Sequence, residues 1–120
     1  MGKQMVTEAE YELMKILWRA EEPLALGDIL KQLDGKWSRN TVGTMLLRMS
    51  EKGVVAYHQK GKSFLYYAVL EESAYRMHET KQLISKLYNG SIGKLVASLY
   101  ENKEITQEEI EDLRTFINQK

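Results

Sequence analysis

Residues 37–69 read WSRNTVGTMLLRMSEKGVVAYHQKGKSFLYYAV. Two periods meet in this stretch, and the change at Gly53 decides the fold. Ser38 suits a helix N-cap, because its hydroxyl can accept from an otherwise unpaired backbone N–H. Val42, Met45, Leu46 and Met49 then recur at helical spacing until Gly53 supplies a stop. The other face carries Asn40, Thr41, Thr44 and Arg48, side chains able to meet base edges and phosphates. Beyond Gly53 the pattern turns β-prone: Val54-Val55-Ala56-Tyr57, then Phe64 to Val69, separated by a turn containing Lys60-Gly61-Lys62. That predicts a hairpin with a basic tip.

Toward the N-terminus, Thr7 and Glu10 make a capping box, in which hydroxyl and carboxylate satisfy two free backbone donors at a helix start. Ala9, Leu13, Ile16, Leu17 and Ala20 form an apolar stripe, and Tyr11, Met14 and Trp18 a second one, so two sides of this helix should be covered. Pro23, the only proline, stands in the connection from Glu21 to Leu24. Leu26, Ile29, Leu30 and Leu33 predict a short second helix stopped by Asp34-Gly35. Three helices followed by a two-stranded hairpin is the order of a winged helix-turn-helix, whose third helix enters the major groove while the wing touches flanking backbone.

Toward the C-terminus three helices are expected, over 71–89, 91–100 and 106–118, with Asn89-Gly90 as a break and a second capping box at Thr106 and Glu109. Ile92, Leu95, Val96 and Leu99, then Ile110, Leu113, Phe116 and Ile117, are apolar stripes on helices too short to be stable alone. They require a partner surface. The fold class is therefore mainly α with a small β hairpin: a winged helix-turn-helix over 1–70 for DNA and a helical dimerisation region over 71–120. Ile92, Leu95, Val96, Leu99, Leu113 and Ile117 are the candidate dimerisation residues.

Charge supports the same division. The chain has 120 residues and no net charge, but from Lys31 to Lys62 seven bases face two acids, whereas from Glu71 onward seven bases face nine acids. Only the first segment suits a polyanion. The absence of cysteine excludes disulfides, thiolate metal sites and cysteine nucleophiles, and fits a reducing cytosol. No apolar run approaches the ~20 residues of a membrane span, and the first seven residues lack a signal-peptide core, so a cytoplasmic protein is expected. His58 and His78 without an arranged carboxylate do not make a metal site, and Glu108, Glu109, Glu111 and Asp112 read as acids favoured at a helix N-terminus. Neither a phosphate-binding glycine loop nor a nucleophile triad is present, so no enzyme, cofactor or metal is expected.

Thr7-Glu8-Ala9-Glu10 leading to Met14-Lys15-Ile16-Leu17-Trp18, then Trp37 to Met49, Glu51-Lys52-Gly53-Val54-Val55, Gly61 to Tyr66 and Gln107 to Leu113 together resemble the penicillinase repressor family, BlaI/MecI/CopY. The likeness runs over nearly the whole chain. It implies a homodimer held by the C-terminal helices, with the third helix reading each half of a dyad-symmetric double-stranded operator. On that basis Ser38, Arg39, Asn40, Thr41, Gly43, Thr44 and Arg48 carry over as DNA-facing; Lys60 and Lys62, at the basic tip of the hairpin, are expected on phosphate from their place in the wing. Copper-responsive members end in a cysteine cluster, which this chain lacks. Members that respond to β-lactams are cut by a regulatory protease at an Asn-Phe bond, and no such pair occurs here; the nearest candidates lie around Ser98, Leu99 and Tyr100. The alternative to repression is a winged-helix module that docks proteins without reading DNA.

Overall fold

The computed structural model describes residues 5–119, so the first seven residues, expected not to form a signal peptide, are described only from Met5 onward. The elements follow in the order α1 (Glu8–Arg19), β1 (Leu24–Ala25), α2 (Leu26–Leu33), α3 (Arg39–Glu51), β2 (Val55–Lys60), β3 (Ser63–Ala68), α4 (Glu72–Tyr88), α5 (Ile92–Glu101) and α6 (Gln107–Asn118). Both capping boxes form, the Thr7 and Thr106 hydroxyls accepting from the N–H groups of Glu10 and Glu109 while each glutamate accepts from its cap residue. Asp34 at φ +52 and Gly35 at φ +82 end α2, and Asn89 at φ +52 and Gly90 at φ +83 follow α4.

Two compact units emerge, Met1–Met77 and His78–Lys120. The first is a winged helix. Leu13, Met14, Ile29, Val42, Leu46 and Met49 are fully buried, and Val54 and Val55 carry the same core from α3 into the wing. Tyr11, Trp18 and Tyr75 pack ring on ring, with centroids 5.3–6.1 Å apart. This places the start of α4 with the winged helix. Trp18 also donates its indole N–H to the Leu70 carbonyl at 2.8 Å, holding the end of the wing on α1.

The wing differs from the expected two-stranded hairpin. Strands β2 and β3 pair antiparallel from Val55↔Ala68 to Lys60↔Ser63, but Leu24 and Ala25 add a third strand opposite Tyr66 and Leu65, giving the order β1-β3-β2. The segment after Pro23, read as a plain connection, thus closes one edge of β3. Gly61 at φ +62 opens the two-residue turn between β2 and β3, a position glycine fills without a Cβ penalty.

The second unit holds no buried residue on α5 or α6. Leu95, Val96 and Leu99 are half-buried, whereas Ile92, Leu113 and Ile117 are exposed. Leu83 and Leu87 on α4, one turn apart, add to the exposed apolar surface, as do Tyr100 and Phe116. Among the described residues no helix is long and apolar enough to cross a membrane.

Candidate nucleic-acid interface

Helix α3 is anchored by its inner face. With Val42, Leu46 and Met49 fully buried, a 3.6-residue turn aims Asn40, Thr44, Leu47 and Arg48 to within about 60° of the opposite direction. All four are exposed. Thr41 is exposed on the flank of this face, Arg39, the first helical residue, is exposed but turned by the helical period toward the other side, and Gly43 is half-buried. Ser38 is committed to the backbone as N-cap: its Oγ accepts from the Thr41 N–H at 3.1 Å and donates to the Thr41 Oγ1 at 3.0 Å. The Thr41 hydroxyl keeps its own proton for an outside acceptor, while Ser38 positions the helix start.

The wing meets α3 at a cleft of about 270 Å³ whose lining includes Arg39, Lys62, Ser63, Phe64 and Tyr66. Two cations from elements more than twenty residues apart therefore face one groove. Burial pushes the Tyr66 phenol above its ordinary range, reinforced by Tyr57, so it remains a protonated donor at neutral pH. Lys60 and Lys62 are exposed at the tip, flanking Gly61. Beside them the rings of Tyr57 and Phe64, 4.7 Å apart at their centroids, form an exposed aromatic pair on the wing.

Lys52, one of the seven bases of this segment, points elsewhere. Its ammonium pairs with the buried Glu10 carboxylate and donates to the Met5 carbonyl at 3.2 Å, tying the end of α3 to the start of α1. Burial pushes the Glu10 carboxyl up, but hydrogen bonds from Lys52 and the Thr7 N–H, with the fields of Lys52 and Arg48, outweigh it and hold the group below the ordinary carboxylate range. The cations left for an anionic partner are Arg39, Arg48, Lys60 and Lys62, with Lys31 exposed on α2 and Lys36 poised over the Trp37 ring at 5.0 Å. Leu47, Tyr57 and Phe64 are exposed apolar side chains whose place beside these cations the sequence pattern does not mark. The helical period places Leu47 on the outer face, but a single apolar residue among polar ones carries no signal of its own in the sequence.

Comparison with known proteins agrees with this geometry. The penicillinase repressor family matches residues 6–119. The methicillin resistance regulatory protein MecI of Staphylococcus aureus is 34% identical over 116 residues, covering 96% of this chain and 94% of that protein. The penicillinase repressor of Bacillus licheniformis is 32% identical over 110 residues, covering 90% of this chain and 85% of that one. In structure, the DNA-binding domain of the repressor BlaI superposes with a TM-score of 0.53 at 35% identity, over 62% of this chain and 94% of that domain. A match of this extent, on a chain whose first unit is a winged helix, establishes that the protein belongs to the penicillinase repressor family.

Proposed function

We propose that this protein is a cytoplasmic transcriptional repressor that binds a dyad-symmetric operator on double-stranded DNA as a homodimer. Asn40, Thr44 and Arg48 read base edges in the major groove from α3, Ser38 and Thr41 fix the helix start against the backbone, and Gly43 lets the duplex come close. Arg39 at the cleft and Lys60 and Lys62 at the wing meet phosphates. The observation that carries the reading is the outward polar face of a helix held rigidly by Val42, Leu46 and Met49, with Arg39 and Lys62 converging beside it. The names of MecI, the penicillinase repressor and the BlaI DNA-binding domain support it.

The dimer is proposed on the exposed apolar side chains of the second unit, Ile92, Leu113 and Ile117 with Leu83, Leu87 and Phe116, extended by the half-buried Leu95, Val96 and Leu99. On this reading 1–70 contacts DNA and 71–120 dimerises. Repression ends when a regulatory protease cuts between Tyr88 and Ile105, removing the linkage that lets two weak half-site contacts act together.

Alanine variants titrated against operator and random DNA over a range of salt test the reading. Asn40→Ala and Thr44→Ala should each cost about 1–3 kcal/mol of preference for the operator. Lys60→Ala and Lys62→Ala should weaken all sequences alike and flatten the salt dependence. Salt-insensitive binding would instead favour a protein-docking module, and equal losses on operator and random DNA in both sets would sink the division between base reading and phosphate positioning.

A further inference from the structure

One side chain on the outward face of α3 is not used by the polar contacts above. Leu47 is 60% exposed, more than Tyr57 or Phe64 on the wing, although it lies in the middle of an element whose inner residues are wholly buried. It stands one turn beyond Thr44 and two turns beyond Asn40, on the same side as both. Its neighbours on that face, Thr44, Arg48 and the acid Glu51, with Asn40 a further turn back, are exposed and polar, so Leu47 does not extend an apolar patch on which another protein's core could settle. One apolar group among hydrogen-bonding ones matches the major-groove edge of an A·T pair, where thymine presents a C5-methyl beside its O4 acceptor and adenine offers N6 and N7. Gly43, one turn before Leu47, has no side chain, and apart from its chain neighbours and the backbone of its own helix no atom lies within 4 Å of where its Cβ would stand. That open flank lets the groove approach deeply enough for a leucine to touch a base.

Resting on the proposed DNA reading, we infer that Leu47 is a specificity-determining residue that packs its methyl groups on the C5-methyl of one thymine in each operator half-site. The contact gives α3 a preference at one base pair that no hydrogen bond supplies. It predicts discrimination by shape and apolar contact there, unlike the positions read by Asn40 and Thr44.

The test uses the full chain and an operator selected from a random pool of double-stranded DNA. Each thymine is replaced in turn by deoxyuridine, which removes the methyl and keeps the pairing. Wild-type protein should lose about three- to fivefold in affinity at one thymine per half-site, the factor expected from one methyl returned to water. Leu47→Ala should bind the intact operator several-fold more weakly, bind random DNA as before, and lose the deoxyuridine penalty at that position. Leu47→Met, which keeps apolar reach, should restore part of both. A deoxyuridine penalty that persists in Leu47→Ala, or an operator affinity that Leu47→Ala leaves unchanged, overturns the inference while leaving the DNA reading intact. Failure of the wild-type protein to enrich any sequence overturns the DNA reading itself, and this inference with it.

Discussion

Gly43→Ala should make the protein more stable and a poorer DNA binder. Gly43 is the fifth of thirteen residues in α3, its φ is not among the positive values, and nothing beyond its chain neighbours and the backbone of its own helix lies within 4 Å of the position a Cβ would take. The fold therefore supplies neither a conformational nor a steric reason for glycine there. A glycine in a helix interior costs about 0.5–1 kcal/mol relative to alanine, because more backbone freedom is lost on folding. Alanine should recover that amount. For a unit the size of this winged helix, it corresponds to a rise of about 2–8 °C in melting temperature. The same methyl would stand beside Leu47, where the duplex is proposed to approach, and should weaken operator binding several-fold. Thermal denaturation followed by circular dichroism and an operator titration on one preparation measure the two effects. A variant that is more stable and binds operator undiminished would refute the close approach. A variant that melts lower would refute the placement of Gly43 at an open site.

Two further outcomes follow from other parts of the molecule. Glu10→Gln should lower stability at neutral pH by about 1–3 kcal/mol, since it strips the partner from the Lys52 ammonium. Because the folded carboxyl lies below its ordinary value of 4.5, its contribution is complete above that value and is lost as pH falls through the folded one; urea midpoints in Glu10→Gln should therefore fall less steeply with acid than in wild type, and parallel acid limbs would contradict this. A chain ending at Tyr100 lacks α6 and its capping box. It should keep the winged-helix fold but dimerise poorly and lose about 10²- to 10⁴-fold in operator affinity, and undiminished light-scattering mass and affinity would sink the linkage argument.

What the sequence reveals here is local. The Thr7–Glu10 and Thr106–Glu109 boxes, the Ser38 cap and the Asp34-Gly35 and Asn89-Gly90 stops each act within a few residues, and each appears in the structure where the pattern placed it. The same is true of the outer face of α3, since Asn40, Thr44 and Arg48 share one side of a helix by its period alone. Leu47 was equally legible in position but not in role, because an apolar residue on a polar face gives no signal of its own.

Everything hidden was a meeting between distant segments. Strand β1 is two residues long and exists only because Leu65 and Tyr66, some forty residues later, offer it an edge. Lys52 reads as one more base in a basic run until it meets Glu10 across 42 residues. The cleft between α3 and the wing has the same origin: β1 leads directly into α2, so pairing Leu24 and Ala25 with β3 docks the wing against Leu26 and Gly27 and carries Lys62 to Arg39. A strand too short to signal itself thus couples the helix that would read bases to the hairpin that would hold the backbone.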